Sequence, residues 1–217
     1  MAFILLTFIP THNTHAADAT VTDCTNFTGA GTISQAVTDA NSGGGIITFT
    51  CSGTIIFANQ LTITANVTIN SNGNTVIFDG TGNTTRLFVV NAGASLTLNG
   101  FTLQNANPNF MLGVLGGAIS NEGTLTINNS TFTNNSAGRG GAIYNVGTLT
   151  ISTSTCTNNS ADRGGAIYQY TFGTLTISDS TFTNNSASGI GGAIYGYTNG
   201  TITISTKVHN RREIWLM

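Results

Sequence analysis

The chain has 217 residues, 40% of them hydrophobic but only 6% charged, with a formal net charge of -2, whereas an ordinary globular domain is about a quarter charged. That near-neutrality leaves no electrostatic case for nucleic acid or for an anionic membrane surface as a partner. Solubility must rest on Thr, Ser and Asn, and the length suits one domain.

Residues 1–17, MAFILLTFIPTHNTHAA, hold a short apolar core at Ala2–Ile9 and small residues at Ala16 and Ala17. They resemble the second half of a secretory signal peptide whose basic first part is missing. The run is too short to span a bilayer and no later segment is longer, so no transmembrane segment is expected. Next, Thr32–Asn41, TISQAVTDAN, places Ile33, Ala36, Val37 and Ala40 at helical spacing, and Ser42–Gly45 ends the run. Residues 18–45 are therefore expected to form an N-terminal cap region, its short helix covering strand edges that the first coil would otherwise expose. Cys24 and Cys51 flank this cap, and in an exported chain they predict a disulfide tying cap to coil. Cys156 occupies a position that is Phe in neighbouring repeats and reads as a buried thiol. All three histidines, His12, His15 and His209, fall in the leader or the tail, away from any cysteine that would need one for catalysis.

From Ile46 to Asn105 short apolar-polar runs (IITFT, GTIIF, LTIT, NVTI, TVIFDG, RLFVV, SLTL, FTLQN) alternate with Asn/Gly turns, the period-two signal of half-buried strands. Ala106–Leu115, ANPNFMLGVL, interrupts them and reads as a decorated turn.

A marked repeat follows. GGAISNEGTLTINNSTFTNNSAGR starts at Gly116, GGAIYNVGTLTISTSTCTNNSADR at Gly140, GGAIYQYTFGTLTISDSTFTNNSASGI at Gly164 and GGAIYGYTNGTITIS at Gly191, so the starts advance by 24, 24 and 27 residues. Such a period belongs to stacked supersecondary units. Each unit holds three strand-like runs, GAIY, GTLTI and STFTNN. Wound as one lap, each strand would lie parallel on its counterpart about 4.8 Å away. Inward columns are then Leu125/Ile127, Leu149/Ile151, Leu175/Ile177 and Ile202/Ile204, with Phe132, Cys156 and Phe182 as another. Asn134, Asn158 and Asn184 fall at the following bend, where stacked amides would bond from lap to lap, and the paired glycines suit a tight bend with positive φ. The expected fold is all-β: a right-handed parallel β-helix over 46–205, of about six coils and about 30 Å tall. Residues 206–217 break the pattern; two readings stand, an amphipathic plug and a lost reading frame.

The pairing of GGAI with FxxN, at Gly116–Ile119 with Phe132–Asn135 and Gly164–Ile167 with Phe182–Asn185, and GGAI alone at Gly140–Ile143 and Gly191–Ile194, resembles the repeat of chlamydial polymorphic outer membrane proteins. It is similar also to repeats of other secreted bacterial β-helix proteins of the pectin-lyase-like fold, whose N-terminal caps the segment 32–41 resembles. The resemblance implies an exported, non-enzymatic surface or extracellular protein that binds glycans or cell-surface proteins through the solenoid sides and serves adhesion. It assigns no catalytic residue, metal or cofactor, since the motif builds the scaffold and the fold hosts enzymes and adhesins alike.

Three outward features bear on function. Acidic-polysaccharide enzymes of this fold would need clustered carboxylates, yet Glu122, Asp162 and Asp179 fall at three different repeat corners and Asp79 sits in a turn; Arg139 and Arg163 alone are charged residues in register. Thr124/Thr126, Thr148/Thr150, Thr174/Thr176 and Thr201/Thr203 form two outward columns resembling the Thr-x-Thr arrays of ice-binding β-solenoids, although unequal loops argue against a surface matched to a lattice. Tyr144, Tyr168 and Tyr195 follow GGAI in successive laps; with Ile inward they form an outer aromatic strip able to stack on sugars or a protein, and with the register shifted by one they are core.

Overall fold

The computed structural model describes residues 18–82, 84–108, 114–197, 199–205 and 214–216. The expected signal peptide, the middle of the 106–115 turn and most of the 206–217 tail lie outside them.

Alternating Thr and Ile or Leu cannot bury both faces of a strand, so each run turns its apolar face inward and the chain winds into a parallel β-solenoid of about seven turns. Among the described residues the strands form sheets of eight, seven, six and three, every pairing parallel. The eight-stranded GTLTI sheet runs from Ala19–Val21 to Thr201–Ser205. The seven-stranded AIY sheet starts at Leu61–Ile63, carries Ile143–Asn145, Ile167–Gln169 and Ile194–Gly196, and ends at Ile214–Leu216. The six-stranded TFT sheet starts at Gly53–Ile56 and ends at Thr181–Thr183. The fourth is a short sheet of Ser136–Arg139, Ser160–Arg163 and Ser186–Ile190. Laps number about seven rather than about six because Ala19–Val21 and Ile214–Leu216 add strands at the two ends. The last strand also brings part of the tail into the AIY sheet, beside Ile194–Gly196.

Leu125, Ile127, Leu149, Ile151, Leu175, Ile177, Phe132, Cys156 and Phe182 are buried in one continuous core, with Ile202 and Ile204 half-buried at its end. Where the earlier laps lose the exact repeat, phenylalanines fill the space: Phe78 stacks on Phe101 at 4.8 Å and edges against Phe57 and Phe88. Each fully buried aliphatic side chain contributes about 1.5–3 kcal/mol against exposure, but one lap's share closes no core alone.

The paired glycines have two different reasons. Gly140 has φ +65°, and a Cβ there would meet the Ile143 carbonyl oxygen at 2.1 Å. Gly141 needs no positive φ; its Cβ would lie 2.1 Å from the Gly165 carbonyl oxygen of the next lap. The first glycine makes the turn and the second lets the laps close.

Asn134, Asn158 and Asn184 do not form the bend ladder. They take left-handed φ of 54–55°, a conformation Asn tolerates, and the ladder passes to the next residue. Asn135 Nδ2 donates to Asn159 Oδ1, and Asn159 Nδ2 to Asn185 Oδ1, each at 3.0 Å. The same three amides donate to the carbonyls of Leu103, Phe132 and Cys156 in the preceding lap. The asparagine of the FxxN motif is thus the one that ties lap to lap. A second buried amide row, Asn121, Asn145 and Gln169, bonds likewise along the AIY sheet.

At the N-terminal end, helix Ile33–Ala40 is capped by Thr32, whose side chain accepts from Gln35 N. Its buried face is Ile33, Ala36, Val37 and Ala40, and it packs against the first strands of the GTLTI and AIY sheets. Cys24 and Cys51 form a disulfide with Cα atoms 5.8 Å apart, linking this region to the first coil.

Candidate functional site

The outer face of the AIY sheet departs most from a plain Thr/Ser surface. Reading outward-facing residues lap by lap gives Thr62, Val89, Ser120, Tyr144, Tyr168, Tyr195 and Trp215, all in register. Alternation puts Ile143, Ile167 and Ile194 inside and the tyrosines outside. Yet the tyrosines are not an open strip. Tyr144, Tyr168 and Tyr195 are only 6%, 1% and 1% exposed, because Leu115, Val146 and Ile190 pack over them as a second apolar cluster. Their ring centroids lie 5.5 and 4.9 Å apart. As a binding strip these three are therefore corrected to a covered floor, neither solvent-facing nor part of the main core.

The exposed aromatics stand beside that floor. Tyr170 and Tyr197 are 37% and 40% exposed and stack on each other at 5.9 Å; Phe172 is 80% exposed. All five tyrosines of the chain belong to this one array, since Tyr170 also meets Tyr168 at 6.4 Å and Tyr197 meets Tyr195 at 6.4 Å. Sequence reading missed Tyr170 and Tyr197, although the Tyr-x-Tyr spacing of Tyr168/Tyr170 and Tyr195/Tyr197 puts each pair on one strand face.

Along the other bank run Leu115, Arg139, Arg163 and Ile190, in register through the short fourth sheet. The Arg139 guanidinium carbon sits 5.5 Å from the Tyr168 ring centroid, a cation-π contact, and Arg163 is near enough to pull against the rise of the Tyr168 hydroxyl. Burial pushes the Tyr144 hydroxyl up to about 12, and neighbouring Tyr168 and Tyr170 add to the rise against the pull of Arg139. Tyr168 is raised as well, by burial against Arg139. Both phenols stay neutral donors at physiological pH.

The Thr columns are in register, Thr124, Thr148, Thr174 and Thr201 in one and Thr126, Thr150, Thr176 and Thr203 in the other. The unequal loops shift nothing, because extra residues are absorbed between strands. The two columns are not equally open, however. Thr126, Thr150 and Thr176 are half-buried, because each sits at mid-strand with a threonine on one side and an asparagine or serine on the other side of the same face, and with neighbours in the laps above and below. Thr203 of that column is exposed, and it lies on the end strand of the sheet, with no other described strand stacked beyond it. In the other column Thr124, Thr148 and Thr201 are exposed and Thr174 is half-buried. All eight threonines belong to the GTLTI sheet and the tyrosine array to the AIY sheet, so the fold does not bring the two features into one site. A further Thr face that the sequence reading passed over lies on the TFT sheet, where Thr131/Thr133, Thr155/Thr157 and Thr181/Thr183 align.

Elsewhere the polar groups are spent on structure. Glu122 follows an AIY strand, Asp162 lies in the fourth sheet and Asp179 follows a GTLTI strand with φ +45°. Asp79 accepts from Thr81, Gln104 and Asn105; burial opposes those bonds, yet they hold its carboxyl below the usual range. Among the described residues no group of three or more His, Cys, Asp or Glu converges as a metal site would. Cys156 is buried and free, its thiol pushed up to about 12 by that burial. No helix of the described residues is long and apolar enough to cross a membrane.

No curated protein and no solved structure matches the chain. The profile of the Chlamydia polymorphic membrane protein (Chlamydia_PMP) repeat, a repeat of a bacterial outer-membrane and surface family, matches residues 129–146, 153–169 and 179–197. Those segments contain the Asn135, Asn159 and Asn185 ladder, three of the four glycine pairs and the tyrosine floor. The chain is a β-helix protein with repeats of the Chlamydia polymorphic membrane protein kind.

Proposed function

We propose that this chain is an exported, non-enzymatic surface protein that serves adhesion through one side of its solenoid. The observation that carries this reading is the half-exposed Tyr170/Tyr197 pair, with exposed Phe172 two residues from Tyr170, along one side of a packed tyrosine floor whose other bank carries Arg139 and Arg163. Aromatic side chains with one apolar body and one polar edge are typical anchors of recognition surfaces. The repeat's occurrence in a surface family supports the location. Glycans and cell-surface proteins are the partner classes such a face suits. Labelled protein should attach saturably to cells, and Tyr170→Ser with Tyr197→Ser should remove most of the attachment without lowering the melting temperature. Attachment unchanged by the double substitution would sink the assignment of this face. Release of unsaturated or shortened sugars from polyuronates would instead make the chain an enzyme.

The unbroken register of the Thr columns favours a second reading, ice binding by the GTLTI face. Its contact row would be Thr124, Thr148 and Thr201, the exposed members, with half-buried Thr126, Thr150 and Thr176 behind them. Thermal hysteresis at millimolar protein tests it, and its absence removes it.

A further inference from the structure

The chain carries few charges, and those it has are unevenly placed. Every Lys or Arg among the described residues, Arg86, Arg139 and Arg163, lies on the corner beside the tyrosine array or two laps before it. Glu122 is near enough to influence both Arg86 and Tyr144. Among the described residues no carboxylate pairs with Arg139 or Arg163; their contacts are with tyrosine. A guanidinium held against a ring keeps N–H donors for a further acceptor, and its planar fork suits carboxylate or sulfate.

The two rows also share a repeat. Arg139 and Arg163 are Cα partners in parallel strands, so they stand about 4.8 Å apart along the axis, and Tyr170 and Tyr197 advance by one lap in the same direction at 5.9 Å. A linear ligand laid parallel to the axis meets cations in the two laps of Tyr144 and Tyr168 and exposed rings in the two laps of Tyr168 and Tyr195, so that cation and ring share the Tyr168 lap. Resting on the recognition role proposed for this face, we propose that Arg139, Arg163, Tyr170 and Tyr197 form a binding site for an anionic polysaccharide, its acid groups on the arginines and its ring bodies against the tyrosines. A ring-sized monomer matches one lap; the Tyr170 and Tyr197 hydroxyls supply polar edges, and the absence of a paired carboxylate supplies charge complementarity. Leu115 and Ile190, which replace the arginines in the flanking laps, end the cationic row, so the site reads a short stretch of polymer.

The test uses the full chain and four probes: a polyuronate, a sulfated galactan, a neutral glucan and poly-glutamate, each titrated at low and at high salt. The expected result is binding of one or both acidic polysaccharides, weakened by salt, weakened about tenfold by Arg139→Gln with Arg163→Gln, and weakened again by Tyr170→Ser with Tyr197→Ser. Which acidic polysaccharide binds more tightly identifies carboxylate or sulfate as the anion. Circular dichroism and the melting temperature of each variant keep a folding defect apart from a lost contact. Equal binding of the neutral glucan, equal binding of poly-glutamate, no binding of either acidic polysaccharide, or binding unchanged by the arginine pair overturns the site. Acidic-polysaccharide binding without cell attachment would refute the adhesion reading and leave this site standing; attachment without such binding would do the reverse.

Discussion

Replacing Asn159 by Ala should be among the costliest single changes in the chain, far costlier than the same change one residue earlier. The Asn159 side chain takes part in four hydrogen bonds at 3.0 Å: it accepts from Asn135 N and Nδ2, and donates to the Phe132 carbonyl and to Asn185 Oδ1. The site is fully buried, so water cannot replace these partners without opening the corner. Losing the acceptor of Asn135 N–H leaves a buried donor orphaned, about 1–3 kcal/mol, and the other three bonds contribute about 1 kcal/mol each where their partners keep a second contact. Discounting for non-additivity within one network gives about 3–5 kcal/mol. Asn158, by contrast, is exposed and its task is a φ of +54°; Ala there costs about 1–2 kcal/mol. Guanidinium unfolding of the two variants measures the difference, and hydrogen exchange at the Asn135 amide localises it to the loosened lap. Equal costs for the two positions would mean that the amide ladder adds nothing to lap-to-lap cohesion, and the account of the FxxN asparagine would fail with it.

Other perturbations have equally definite outcomes. Reducing Cys24–Cys51, which spans 27 residues, should cost about 3.5 kcal/mol on the chain-entropy estimate; exchange and proteolysis should report the loss in the helix and first coil, with the 116–205 laps unchanged. Cys156, buried with its thiol pushed up to about 12, should resist thiol reagents in the native state at pH 8 and react at the rate of unfolding, so prompt modification would refute its burial. Tyr144 gives a pH dependence of definite sign. Its hydroxyl titrates at about 12 when folded and at about 10 when unfolded, so the native state holds the proton more tightly. Its contribution is full below about pH 10 and disappears as pH rises through about 12; Tyr144→Phe should flatten that part of the alkaline unfolding curve, and an unchanged curve would place the tyrosine outside the covered cluster.

Much of the fold was legible because the solenoid writes each structural role at the same offset in every lap. Leu149, Ile151 and Cys156 could be placed inside from alternation alone, and the helix face Ile33, Ala36, Val37 and Ala40 from its period. The ladder was misplaced by one residue for a local reason: both members of the Asn–Asn pair are amides, and only the backbone angle tells which one turns the corner and which points in. Alternation likewise gave the side of the sheet for Thr126, Thr150 and Thr176 but not how far their neighbours would cover them. The tyrosines were ambiguous for a different reason. Alternation settles that Tyr168 faces outward, but its cover includes Leu115 and Ile190, which are held beside Ser136–Arg139 and Ser160–Arg163, segments of small and charged residues with little β-propensity of their own. Those residues are strands because the lap before and the lap after hold them, a constraint that no window of sequence contains.

The same contrast explains why the candidate site lies on the AIY corner. The inward column Ile119, Ile143, Ile167 and Ile194 does not vary, and the next holds an amide at Asn121, Asn145 and Gln169 before Gly196. Three outward columns do vary, Leu115–Arg139–Arg163–Ile190, Ser120–Tyr144–Tyr168–Tyr195 and Glu122–Val146–Tyr170–Tyr197. A scaffold requirement would repeat these residues in every lap, as it does the glycines and the ladder asparagines, because each lap must close on the next by the same contacts. What changes from lap to lap is free of that requirement, and here Ser120 and Glu122 give way to tyrosines in the later laps, while guanidinium groups that meet no carboxylate among the described residues stand in the two middle laps between Leu115 and Ile190. The period of the sequence therefore specifies the rod, and its departures from the period mark the face that a ligand would read.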